Sequence, residues 1–189
     1  LPTSGVDIEP WHDVERAKVD TITFKNCFIH DNVGTREFML SMDSSYSTAT
    51  ISNISIVGCS IYNNAGTYKT LLESSTAKNI NISNCVIGTD FKNGLVAIKS
   101  ASSAKILDSS IFGQLYVTYC DTDLEIGNTN VSKNDVAIVS GYGSVKRAVE
   151  IWHCSDAKVY NSKFSSTVYS CFYFYNITID FKACEFLDN

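Results

Sequence analysis

Proline is nearly absent from this chain: 189 residues hold two, Pro2 and Pro10, both within the first ten positions. Proline removes a backbone donor and is confined to sheet edges and bulges, so nothing beyond Pro10 forbids uninterrupted backbone pairing. Histidine is sparse at three, and no C-x-x-C or H-x-x-x-H spacing exists, so no metal is predicted. Positive charge is in deficit, with 15 Lys+Arg against 20 Asp+Glu and a net charge of -5, and nucleic acid is therefore not an expected partner. No apolar run reaches the roughly 18 residues of a membrane span, so membrane insertion is not expected either. The opening Leu-Pro-Thr-Ser-Gly lacks the basic and apolar segments of an export signal.

What is present is a composition of 44% hydrophobic and 19% charged residues, which predicts a soluble folded chain, and a length suited to one domain, 1–189. Seven cysteines leave at least one unpaired, which argues against a closed disulfide framework and makes free thiols the expectation, with pairing among Cys120, Cys154 and Cys171 left open. A repeat organises the rest. The segment ITFKNCFI (22 to 29) is echoed by ISIVGCSI (54 to 61) and INISNCVI (80 to 87), then more weakly by AKILDSSI, LEIGNTNV, AKVYNSKF and IDFKACEF, starting at 104, 124, 157 and 179.

In these seven copies the first, third and eighth positions are apolar at all twenty-one sites, where composition alone supplies about nine. Positions one and three alternate with polar residues, the period that turns one face of a strand inward. The fifth position reads Asn26, Gly58, Asn84, Asp108, Asn128, Asn161, Ala183, mostly types that accept a left-handed backbone, so each strand is expected to bend there. The sixth reads Cys27, Cys59, Cys85, Ser109, Thr129, Ser162, Cys184, all small, as an inward site past a tight corner requires. Successive copies stand 20 to 33 residues apart, too close for a helix at every step, and a further short strand precedes each copy, as in LVAIK (95 to 99) and VEIW (149 to 152). The expected fold is all-β: a single-stranded right-handed parallel β-helix, or solenoid, of at least seven coils.

Paired apolar positions, then Asn, a small residue and another apolar position resemble the right-handed parallel β-helix repeat family, which includes pectate-lyase-like and polygalacturonase-like enzymes and phage tailspikes. The resemblance covers residues 5 to 189, and Asn26, Asn84, Asn128 and Asn161 are similar to that family's asparagine ladder. Gly58, Asp108 and Ala183 depart from it. No helix or polar segment covers either end of the repeats, so a fragment of a longer chain is expected.

Stacking at about 4.8 Å per coil gives a rod of roughly 34 Å on which outward residues form rows. The strand before each copy carries the most varied row: Asp7 and Glu9, then Glu73, Lys99, Tyr116, Glu150, Trp152, Tyr173 and Tyr175. Longer connections crowd the first two coils, and the first brings Trp11, His12, Asp13, Glu15 and Arg16 beside Asp7 and Glu9. Asp7 and Glu9 stand at i and i+2, with Cβ atoms about 7 Å apart, a spacing that permits general acid and base roles across a glycosidic bond and equally suits a solvated strand face. The same acids are the weaker basis for a Ca²⁺ site, and no cofactor is expected. His12-Asp13 and His30-Asp31 read as loop residues, since no nucleophile elbow accompanies them. Sequons at Asn53, Asn81, Asn130 and Asn176 carry little weight in a repeat rich in Asn and Ser.

Two functions follow as expectations. One is a carbohydrate-active module, outside the cell, that binds or cleaves a polysaccharide along the outward row, as a lyase or hydrolase if it is an enzyme, with Asp7 and Glu9 catalytic and with Trp11, His12, Asp13, Arg16, Glu73, Lys99, Tyr116, Trp152, Tyr173 and Tyr175 in binding. The other is a non-catalytic structural or adhesive rod on a cell surface or virion, a trimer in which the aromatic face meets identical neighbours.

Overall fold

The alternation in each repeat copy becomes one strand of a seven-stranded sheet. In the computed structural model this sheet stacks Lys18–Lys25, Thr50–Val57, Ala77–Ser83, Ala101–Leu107, Cys120–Gly127, Asp156–Tyr160 and Thr178–Lys182 in chain order, every pairing parallel. A thirteen-stranded sheet supplies two further parallel rows. Its first row is the strand preceding each copy: Ser4–Ile8, Phe38–Met42, Thr70–Ser74, Gly94–Ile98, Val149–Trp152 and Phe172–Tyr175. Its second row follows the corner: Phe28–His30, Ser60–Tyr62, Val86–Ile87, Asn130–Lys133, Lys163–Ser166 and Glu185–Asp188. Ser110–Thr118 serves both rows and joins them, with Gly113 at φ 151 between its two halves. Val33–Thr35 and Ala65–Gly66 form a small parallel pair of their own.

The structure describes residues 4–8, 18–31, 33–35, 38–42, 50–62, 65–66, 70–74, 77–88, 94–133, 147–166 and 171–188, the side chains of 4–8, 33–35, 38–42, 50, 65–66, 70–74, 94, 133 and 188 excepted. Among them there is no helix, hence none long and apolar enough to cross a membrane. The described chain is all-β and parallel, and it visits the first row, the seven-stranded sheet and the second row repeatedly in that order.

Register makes the repeat columns physical. Ile22, Ile54, Ile80, Ala104, Leu124, Ala157 and Ile179 are successive cross-strand partners, and so are Phe24, Ile56, Ile82, Ile106, Ile126, Val159 and Phe181. In the second row Ile29, Ile61, Ile87, Ile111, Val131, Phe164 and Phe186 line up in the same way. With Val96, Ile98, Leu115, Val117, Val149 and Ile151 of the first row, the buried members form one core cluster. Each fully buried Ile in it contributes about 1.5–3 kcal/mol.

All seven fifth-position residues have left-handed backbone, with φ from 48 at Asn161 to 64 at Gly58. Asp108 does not break the side-chain ladder: its Oδ1 accepts from Asn128 Nδ2 at 2.9 Å, and Asn128 Oδ1 accepts from Asn161 Nδ2 at 3.3 Å. The sixth position asks for more than small size. Every one of its thiols and hydroxyls donates to the carbonyl two residues earlier, at 2.7 to 3.5 Å. Cys27, Cys59 and Cys85 stack as expected, Cys27 N–H donating to Cys59 Sγ at 3.4 Å, and burial pushes the Cys59 and Cys85 thiols up.

Three substitutions give stability outcomes. Thr129→Val keeps the shape but removes a hydroxyl that donates to Ile106 and Gly127 carbonyls, so urea denaturation should show a loss of about 1–2 kcal/mol. Ala183, left-handed at φ 52, should gain up to about 1 kcal/mol as Ala183→Gly; Gly58→Ala, whose Cβ would meet Asn26 Oδ1, should lose at least that much.

Candidate functional site

The outward row of the first sheet exists as one line of cross-strand partners: Asp7, Ser41, Glu73, Ala97, Tyr116, Glu150 and Tyr173. A second line runs beside it through Thr118, Trp152 and Tyr175. Six strand spacings separate Asp7 from Tyr173, about 29 Å, so Asp7 and the aromatic residues do not share one site. Asp7 and Glu73 are described in backbone only. Glu9, Trp11, His12, Asp13 and Arg16 lie outside the described residues, as does Glu15.

Burial alters the expected chemistry of this row. Glu150, expected to face water, is fully buried, as are Gln114 beside it and Leu95 and Ala97 two strands away. Its carboxylate accepts from Trp152 Nε1 at 3.3 Å and from Gln114 Nε2 at 3.4 Å, with Arg147 Nη1 at 3.9 Å. These contacts use both carboxylate oxygens and fix the indole. Tyr116, half-buried, has its phenol pushed up, chiefly by burial and then by the Glu150 charge. Lys99 sits one residue past its strand, and its carbonyl accepts from Thr118 Oγ1 at 2.7 Å.

Around this buried carboxylate the rings gather. Trp152 lies 5.7 Å from Tyr173 and 5.8 Å from Tyr175, tilted 55° to each, and the Arg147 guanidinium stands 3.7 Å over the Tyr173 ring. Two further rings that the sequence reading missed extend the surface. His153 stacks on Tyr119 at 5.1 Å and meets Tyr175 edge-on at 5.5 Å. Both occupy left-handed corners, with φ 54 at Tyr119 and 52 at His153, and each precedes a cysteine as Asn26 precedes Cys27. That dipeptide was the signal available. Tyr119 is 56% exposed and Tyr175 52%, so the terrace has open faces. Beside it runs an open groove of about 670 Å³ lined by His153, Cys154, Ser155, Phe174, Tyr175, Asn176, Ile177 and Thr178.

His30 proves to close a strand rather than lie in a loop. Its Nδ1 is 2.7 Å from Asp31 Oδ2, an exposed pair, and its ring stacks on Tyr62 at 5.1 Å. Among the described residues no cluster of three His, Cys, Asp or Glu is arranged to hold a metal. The comparisons with known proteins return no match: no family model, no curated protein and no solved structure.

On the outer face of the seven-stranded sheet, Glu125 accepts from Lys105 Nζ at 2.9 Å and from the Tyr160 hydroxyl at 2.8 Å. The Lys105 hydrogen bond, then that of Tyr160, holds the Glu125 carboxyl below its ordinary value. The folded carboxyl therefore binds its proton less tightly than the unfolded one. Its contribution to stability is whole above about pH 5 and drains away as pH falls through about 4 toward the lower folded value. Urea midpoints measured from about pH 7 to about pH 3 should show a shallower acid decline in Glu125→Gln than in the parent chain.

Proposed function

We propose that the three rows close on one another as a right-handed parallel β-helix and that the aromatic terrace of its first row binds a carbohydrate chain. The fixed order in which the chain visits the rows, together with inward columns that merge in one core cluster, supports the first statement. The resemblance of the repeat to pectate-lyase-like, polygalacturonase-like and tailspike β-helices rests on the same columns and corners.

One observation carries the second statement: Trp152, Tyr173 and Tyr175 meet on adjacent strands while the indole is pinned by a buried carboxylate. Flat rings held at fixed angles offer stacking faces to sugar rings, and the phenol and guanidinium groups at their edges bond hydroxyls. Pre-ordering by Glu150 lowers the entropy cost of binding. Binding is favoured over cleavage as the role of this face, because Glu150, the carboxylate beneath it, is buried and committed to orienting Trp152. Asp7 and Glu9 stay the proposed acid and base of any cleavage, with Asp7 at a separate place on the same row. A polysaccharide partner implies a location outside the cell, at a cell surface or on a virion.

A glycan-array screen followed by affinity electrophoresis tests the reading. The parent chain should retain a polysaccharide, and Trp152→Ala or Tyr175→Ala should each weaken retention about tenfold, the worth of one lost ring contact. Retention by both variants at parental strength defeats it. So does a parent chain that binds no glycan and sediments as a trimer burying Tyr173, the behaviour of a structural rod.

A further inference from the structure

Tyr119, His153 and Asn176 occupy the corner where the first row turns into the seven-stranded sheet, all with left-handed backbone, at φ 54, 52 and 52. Backbone bonds from Tyr119 N to Trp152 O and from His153 N to Tyr175 O, both 3.0 Å, set them one beside another on neighbouring strands. This second ladder holds the imidazole from three sides. Tyr119 stacks on it at 5.1 Å, Tyr175 meets it edge-on at 5.5 Å, and Asn176 Nδ2 lies 2.9 Å from Nδ1. An amide NH2 group only donates, so Nδ1 accepts and the ring proton stands on Nε2. Two groups of the pair are not used in that bond: the Nε2–H donor of His153 and the Oδ1 acceptor of Asn176. Both residues line the groove of about 670 Å³, a size common among ligand sites.

Charge around the groove is the second observation. Among the described residues that line it, none is Lys, Arg, Asp or Glu. Its rim is acidic: Ser155, a lining residue, donates to the Asp121 carbonyl at 2.6 Å and is followed by Asp156, and both aspartates are exposed. The cation of the terrace, Arg147, stands over Tyr173 and 3.9 Å from the buried Glu150 carboxylate, which balances it. Lys158, on the neighbouring sheet face, has Glu125 and Asp180 as cross-strand partners. An anionic polymer would approach two carboxylates on a chain of net charge -5, whereas an uncharged one meets hydrogen-bonding groups and ring faces.

We propose that the groove is a subsite for an uncharged sugar unit, with His153 as the residue that selects it and Asn176 as the positioning residue that keeps the imidazole proton on Nε2. This rests on the reading of the terrace as a carbohydrate-binding face and narrows the partner to a neutral polysaccharide. One sugar hydroxyl accepts from His153 Nε2–H, and a neighbouring hydroxyl donates to Asn176 Oδ1. The Tyr175 ring, 52% exposed, takes the C–H face of the same unit. A chain lying on Trp152 and Tyr173 thereby continues around the corner into the groove.

Affinity electrophoresis of the native chain through neutral glucans, mannans and xylans, and through uronate- and sulfate-bearing polysaccharides, tests this at about 0.05 M and about 0.5 M salt. Retention by a neutral polymer, unchanged across that salt range, is expected. His153→Phe keeps a ring at a corner that also accepts Tyr119 and removes both nitrogens, so retention should fall about tenfold. Asn176→Ala, on a corner backbone that Ala183 shares at φ 52, should weaken it about threefold. Nitrogen NMR spectra of the imidazole at about pH 8 should place the His153 proton on Nε2 in the native chain and divide it between the two nitrogens in Asn176→Ala. Retention by charged polymers alone, or retention that salt abolishes, overturns the neutral subsite and leaves the terrace reading standing. So does His153→Phe at parental strength while Trp152→Ala loses retention, or an imidazole proton that sits on Nδ1 in the native chain or ignores Asn176→Ala. A native chain that retains no polymer overturns both readings.

Discussion

Like residues lie over like residues in this chain because the left-handed corner fixes where each strand ends. A strand has a side-chain period of two, so a slip of one residue would turn every inward Ile outward. The corner prevents that slip. At all seven fifth positions the backbone takes positive φ, and the next residue turns a thiol or hydroxyl back onto the carbonyl two places earlier. Each strand thus ends locally before it meets the next. Parallel pairing then copies the register upward, and columns of Ile, Val and Phe are the consequence rather than the cause.

The same constraint orders the outside. Residues two apart on one strand face the same way, and partners on neighbouring strands stand about 4.8 Å apart, so rings and charges fall into lines. Lines do not specify environment, however. Glu150 and Tyr173 are cross-strand partners on one face, yet Glu150 is fully buried and Tyr173 is half-buried beneath a guanidinium. A carboxylate placed this way is stabilised only when its lone pairs are used, and here Trp152, Gln114 and Arg147 use them. Its contribution is to hold an indole, a positioning role that alternation alone does not reveal.

This difference marks how far the sequence could be read. The columns headed by Ile22, Phe24 and Ile29 were legible because burial of an apolar side chain is period-locked and repeats seven times. The corner at Asn26 was legible because few residue types accept its backbone. The second corner was not, since Tyr119 and His153 are not residues that announce a left-handed turn, and only their position before Cys120 and Cys154 betrays them. The hydroxyl and thiol donors of the sixth column were read as merely small, because Ala and Gly would satisfy size equally well. The burial of Glu150 was not legible, since alternation gives the direction of a side chain and not what stands above it.

Cysteine shows most plainly why residue type underdetermines chemistry in such a structure. Cys85 and Cys154 occupy matching corner places, both are buried, and both donate to the carbonyl two residues earlier. Cys85 also reaches the Ile56 carbonyl, and desolvation dominates its proton affinity. Cys154 instead borders a groove, and the neighbouring Cys120 thiol donates to the Ser102 and Asp123 carbonyls, at 3.7 and 3.2 Å. A carbonyl neighbour favours the protonated thiol. What each core thiol meets therefore lies in which atom the adjacent strand presents, a property of register rather than of the residue itself.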